Sequence, residues 1–188
     1  MTTEPVPVDR QNKPLDSSLL DVQEQSFLPQ MLRFQIIPST YSLLPLKQFA
    51  EVLKIPLGQI VPIPHMPPYV MGVYNWRGAV LWTIDLGHLL GMAPYRQYQQ
   101  ARSVHTTLVI EQQNEASGVQ QLGLVIHDVV DTLEFDSSVI TSTDLTDLPE
   151  TLTQFLLGCW VDKQGAILTI LDDQSIFEYM PNEQTYEV

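Results

Sequence analysis

Gly72-Val-Tyr-Asn-Trp-Arg-Gly-Ala-Val-Leu-Trp-Thr-Ile-Asp-Leu86 decides how this chain is read. An apolar strand runs into a tight turn carrying Trp76, Arg77 and Gly78, and a second apolar strand leaves it. The stretch holds no catalytic group. A cation beside an indole on a turn reads as a contact surface, because Arg and Trp are enriched where polypeptides grip one another. The competing reading is an ordinary solvated arginine on a hairpin, with Trp76 covering the core. Both stand at this point.

Working outward, the same pattern returns. Gly78-Ala-Val-Leu-Trp-Thr-Ile-Asp85 aligns with Gly165-Ala-Ile-Leu-Thr-Ile-Leu-Asp172, with Gly, Ala, Leu and Asp identical. Each copy follows a strand containing a glycine (Gly72, Gly158) and precedes a short helix, for which Asp85 and Asp172 supply acidic starts. A strand-turn-strand-helix unit used twice predicts two related small β-barrels that share a core and leave a groove between them. Further strands are expected at Gln30–Ile37 and Tyr41–Leu44 as a hairpin, at Ser103–Glu111 and Gln120–Ile126 around a polar loop, and at Val129–Phe135. Lys47 to Ile55 fits helix and strand equally. Four prolines between Ile60 and Pro68 force extended backbone and forbid a central strand.

The ends differ from the middle. Residues 1–26 are polar with prolines at 5, 7 and 14 and read as a disordered leader; 181–188 read as a flexible tail; 27–180 form the folded body. The start has no cationic segment followed by a hydrophobic one, so it is no signal peptide, and no apolar run is long enough to span a membrane. A cytoplasmic protein is expected.

In 188 residues, 9 Lys and Arg stand against 22 Asp and Glu, a formal charge of −13. Nucleic acids and anionic membrane surfaces are bound through cations, so this balance argues against both. The single cysteine, Cys159, allows no internal disulfide and lies in the apolar run Phe155–Trp160, where it reads as a core residue.

Chemistry finds little support. The histidines (65, 88, 105, 127) lack the spacing of a zinc site; only His127, near Asp128 and Asp131, comes close, and solvated turn acids explain that triplet better. There is no nucleophile-elbow, phosphate-loop or dinucleotide motif. No metal and no cofactor are expected, and no enzyme.

The chain resembles the CheW family, the scaffolds of bacterial chemosensory arrays. The residues carrying the resemblance are the Asn75-x-Arg77-Gly78 turn, Ile63-Pro64 and Pro67-Pro68-Tyr69-Val70-Met71-Gly72-Val73 before it, and Ile84-Asp85-Leu86 after it. The resemblance covers most of Leu28 to Met180. It implies a mainly β fold of two SH3-like five-stranded barrels packed together, without catalysis. It implies a bridge between the cytoplasmic tip of a chemoreceptor and the regulatory domain of a CheA-type histidine kinase. The implied contact residues are Asn75, Trp76, Arg77 and Gly78, with Leu53 and Lys54. Family members usually carry a small aliphatic residue where Trp76 stands, and often Glu-Ile where this chain has Leu53-Lys54. The Trp-bearing turn together with Leu81-Trp82 is more similar to the CheW-like proteins of cyanobacterial phototaxis and pilus motility. The alternative is a small-molecule-binding module that uses the groove between barrels.

Overall fold

The structure is a computed structural model that describes residues 28–98, 103–114, 118–135, 150–162 and 165–180. The expected leader and tail lie outside the described residues. Ten strands form two five-stranded sheets, matching the expected mainly β architecture of two SH3-like barrels. They are β1 (Gln30–Ile37), β2 (Thr40–Pro45), β3 (Phe49–Pro56), β4 (Val70–Trp76), β5 (Ala79–Asp85), β6 (Val104–Asn114), β7 (Gly118–Ile126), β8 (Asp128–Glu134), β9 (Leu156–Val161) and β10 (Ile167–Leu171). Short helices α1 (Leu86–Leu89), α2 (Tyr95–Tyr98), α3 (Glu150–Thr153) and α4 (Asp173–Glu178) sit between or after them.

The first sheet has the order β8-β1-β2-β10-β9 and the second β3-β6-β7-β5-β4. The ambiguous Lys47–Ile55 segment resolves into a 3₁₀ turn, Leu46–Gln48, followed by β3. Its period is hidden because the inner face carries the charged Glu51 and the outer face the apolar Val52; the pairing with β6 also slips between Phe49 and Glu51. The strand alternates throughout: Phe49, Glu51, Leu53 and Ile55 turn inward while Ala50, Val52 and Lys54 face solvent.

The repeat seen in the sequence is structural. Gly72 pairs with Thr83 after a bulge from Val70–Ile84, and Gly158 pairs with Ile170 next to a bulge from Leu156–Leu171. Thr83 and Ile170, and Ile84 and Leu171, are the residues aligned in the two copies. Each copy then pairs in parallel with the middle of its sheet, β5 with β7 and β10 with β2. Each also ends on its helix-capping aspartate: Asp85 accepts from His88 N at 3.0 Å, and Asp172 from Gln174 N at 3.1 Å. Read through the pairings, β3-β4-β5-β6-β7 corresponds to β8-β9-β10-β1-β2. The second sheet is one contiguous piece of chain, and the first is assembled from both ends of the fold.

Gly72 is dictated by packing. The extended 60–62 segment is tied to β4 by paired hydrogen bonds between Val61 and Val73 at 2.8 and 2.9 Å. A Cβ at Gly72 would lie 2.1 Å from the Val61 carbonyl oxygen, so only glycine admits the approach.

Three apolar clusters follow from the alternation. One face of each sheet points into its own barrel: Met31, Leu43, Leu168 and Ile170 with Trp160 in the first, and Trp76, Leu81 and Val109 with Leu53 and Tyr74 in the second. The opposite faces meet. Leu32, Phe34, Leu44 and Leu171 from one sheet pack with Leu108, Ile110, Leu124 and Ile84 from the other, closed by Leu152, Phe155 and Ile176. Cys159 is buried as expected, and burial pushes its thiol pKa up.

Candidate partner-binding surface

The β4–β5 connection is a two-residue hairpin loop, Arg77-Gly78, and both residues have positive φ, 53° and 83°. Such loops follow the right-handed twist of the strands they join, and they demand left-handed backbone at both central positions. Gly78 takes that conformation freely. Arg77 does so against the steric cost of its Cβ, roughly 1–2 kcal/mol. Asn75 Oδ1 accepts from Gly78 N at 3.1 Å and helps close the turn.

Strand alternation decides which side chains the loop presents. Tyr74 and Trp76 share the inward face of β4, so the indole enters the second barrel against Leu81 and Val109 and is only 7% exposed. Of the two readings of this turn, the one in which Trp76 covers the core holds for the indole. It caps its barrel, because period two places it on the side of Tyr74. Arg77 does face outward, with its side chain 69% exposed.

The arginine is not adrift in solvent. Its guanidinium lies 4.7 Å from the centroid of the Trp76 ring, and Nη2 donates to Glu51 Oε2 at 2.8 Å. The other carboxylate oxygen, Oε1, accepts from Trp76 Nε1. Glu51 thus binds the buried indole and the exposed guanidinium at once, and ties β3 to the hairpin across the barrel mouth. Sequence reasoning missed Glu51. The signal was available: an acid two residues before Leu53, on the inward side of an alternating strand, must find a donor.

The remaining expected residues divide. Leu53 lies beneath Trp76 as part of the barrel core. Lys54, on the opposite face of β3, donates to Thr106 Oγ1 at 2.7 Å and stands 3.7 Å from Asp128. The structure thus brings together Leu53, Asn75, Trp76, Arg77 and Gly78, and sets Lys54 on the outside of the same strand. Val80, facing Asn75, adds an apolar side chain that is 69% exposed.

Among the described residues, no group of three or more His, Cys, Asp or Glu is placed to hold a metal ion. Asp131 is occupied by Arg33, and Asp128 accepts from the backbone of Val129, which disposes of the His127 triplet as a ligand set. Among the described helices, none is long and apolar enough to cross a membrane.

The profile of the CheW-like domain matches residues 30–179. The chain belongs to the CheW-like domain family. A relative in Rhizobium etli, a probable chemotaxis protein CheW, is 28% identical over 123 residues, which cover 64% of this chain and 71% of that protein. The crystal structure of the scaffolding protein TtCheW from Thermoanaerobacter tengcongensis superposes with a TM-score of 0.62 at 19% identity, covering 77% of this chain and 89% of that one. That likeness shows the fold. CheW-like proteins are non-catalytic scaffolds of chemotaxis-type signalling that bind chemoreceptors and CheA, and this CheW-like chain is not an enzyme.

Proposed function

We propose that the chain couples the cytoplasmic tip of a chemoreceptor to the regulatory domain of a CheA-type histidine kinase, in chemotaxis or in a phototaxis or pilus-motility system. The CheW-like body, residues 27–180, is the scaffold unit. Its partner contact is the end of the second barrel: Arg77, Asn75 and Gly78 at the surface, Trp76 and Leu53 as the stiff support beneath, and Lys54 on the outer side of the same strand.

The observation that carries this reading is the state of Arg77. A non-glycine residue is kept in left-handed backbone, over a buried ring and braced by Glu51, with most of its side chain in water. Local strain of that kind persists where the surrounding structure imposes it, here the two-residue turn, and such positions cluster at binding and switch sites. A pre-oriented guanidinium loses little freedom on binding, so it suits a docking contact. Coupling by such a scaffold is geometric: one rigid body holds two partners at a fixed separation, and a signal passes as a change in their relative orientation.

The test is co-purification of the full chain with a CheA-type regulatory domain, comparing wild type with Arg77→Gly. Glycine tolerates the turn, so relief of strain offsets the lost surface ion pair and the melting temperature stays within about 3 °C. Binding is expected to weaken by at least about 2 kcal/mol, roughly 30-fold. Undiminished capture by the glycine variant would sink the proposal. Arg77→Glu is a poorer probe, because it sets a second carboxylate against Glu51.

The small-molecule alternative has less behind it. The space between the barrels is filled by Leu, Ile and Phe side chains, and the polar cavity beside Lys47, Glu111 and Asp173 is open to solvent, unlike the enclosed apolar pockets that hold small ligands.

A further inference from the structure

The two barrel ends are built alike up to one side chain. Ala79 faces Trp76 across the β4–β5 ladder. Its counterpart Ala166 faces Asp162, whose backbone N donates to Ala166 O at 2.9 Å. Trp76 and Asp162 are therefore equivalent positions. Glu51 faces Val109, which pairs with Gly123 and through it with Thr83. Asp131 faces Arg33, which pairs with Leu43 and through it with Ile170. Thr83 and Ile170 are matched in the repeat, so Glu51 and Asp131 are equivalent carboxylates.

In the second barrel the indole fills the mouth, donates to Glu51 and lies beside a guanidinium. In the first barrel the matching residue is a short carboxylate. What remains is a cavity of about 240 Å³, open to solvent and lined by Arg33, Tyr41, Val130, Asp162, Ala166 and Leu168. Its lining residue Leu168 is the counterpart of Leu81, which packs against Trp76. Arg33 is locked in place: Nε and Nη2 donate to the two oxygens of Asp131 at 2.9 and 2.5 Å.

We propose that the mouth of the first barrel is a docking pocket for a tryptophan side chain presented by a partner polypeptide. The same three kinds of group that surround Trp76 recur here in a different arrangement: Leu168 as an apolar floor, carboxylates at Asp162 (Oδ1 accepts from Ala166 N at 2.8 Å) and, beside the cavity, at Asp131, whose remaining lone pairs can accept an indole N–H, and the guanidinium of Arg33, at the position of Val109, for the ring. The volume exceeds the roughly 150 Å³ of a cavity that takes up benzene. Among the described residues, two carboxylates stand against one arginine, which favours a neutral N–H donor over an anion. The exposed apolar side chains Val130, Val161 and Ile167, at 42, 45 and 62%, belong to the same end of the barrel. Val130 lines the cavity, while Val161 and Ile167 pair with each other on the outer face of the same hairpin; this apolar surface beside the cavity suits a polypeptide carrying the anchor residue, and a free small molecule would leave it unused.

The experiment is an NMR titration of the full chain with acetyl-Leu-Trp-Leu-amide, N-acetyl-tryptophanamide and acetyl-Leu-Ala-Leu-amide. Saturable amide shifts centred on Tyr41, Val130, Ala166 and Leu168 are expected with the first. Binding about tenfold weaker is expected with the second, and none with the third. Ala166→Leu, which fills the mouth from an exposed position, should weaken the tripeptide at least tenfold; Val130→Phe serves the same purpose should the first variant misfold. The proposal is overturned by equal binding of the capped amino acid and the tripeptide, by binding of the alanine peptide, by no saturable shift, or by shifts indifferent to both variants.

Discussion

His105 shows how a single residue sets a pH dependence. It is 2% exposed on β6, its ring 5.0 Å from that of Tyr95, and among the described residues neither ring nitrogen has a hydrogen-bond partner. Burial lowers its pKa from the usual 6.5, and the positive charge of Arg96 lowers it further. The folded state thus holds the ring neutral where the unfolded chain would protonate it. Stability falls as pH drops below about 6.5, until the folded-state value is passed. His105→Phe is expected to raise stability at pH 7 by about 1 kcal/mol, because two unsatisfied nitrogens leave the interior. It should also remove that part of the slope between pH 7.5 and 5.5, read from urea midpoints. Asp85 and Asp173 act with the opposite sign: burial raises their pKa values, so their share of stability is lost as pH rises, and only the difference from wild type isolates the histidine. Glu51 is the second residue to probe. Glu51→Gln keeps an acceptor for the indole and removes only the partly exposed pair with Arg77, at under about 1 kcal/mol. Glu51→Ala strands a buried N–H and should cost about 1–3 kcal/mol in the same assay.

At the scale of elements, the β4–β5 hairpin was legible because a dipeptide turn between apolar strands leaves few alternatives. The direction of Trp76 was the weaker point. An indole next to an arginine looks like surface, yet Tyr74 and Trp76 stand two apart and therefore share a face. β3 stayed unreadable for another reason. Its burial alternates regularly, but a charged Glu51 stands on the inner face and an apolar Val52 on the outer one, so hydrophobicity alone does not show the period. Two glycines separate the causes of sequence constraint. Gly72→Ala drives a methyl into the Val61 carbonyl and should cost several kcal/mol or prevent folding. Gly78→Ala meets nothing within 4 Å and carries only the backbone penalty of φ 83°, about 1 kcal/mol, or roughly 2–4 °C in a thermal melt.

The molecule as a whole is two barrels fused through equivalent faces. Phe34 on β1 and Ile110 on β6 are symmetry-matched and fully buried in the shared core. Phe34→Ala should therefore destabilise both barrels together by about 3–5 kcal/mol. Urea unfolding followed by fluorescence (Trp76 and Trp160 report on different barrels) should remain a single transition; two separated transitions would refute the shared-core account. Eight aligned residues, with Gly, Ala, Leu and Asp identical, were enough to reveal the repeat in the sequence. They were too few to reveal its offset, since β3 and β8 correspond in space yet share only the short pattern of an acid and a leucine two residues on, Glu51 and Leu53 against Asp131 and Leu133.

That offset has a bearing on how the protein is made. A ribosome delivers β1 and β2 first, then every strand of the other sheet, and only afterwards the three that complete the first. The opening hairpin, with Met31 and Leu43 still lacking Phe135, Leu168 and Ile170, must wait through most of translation for its neighbours. The late closure joins strands far apart along the polymer, which is slow, and in that interval the nascent hairpin is a natural client for a chaperone.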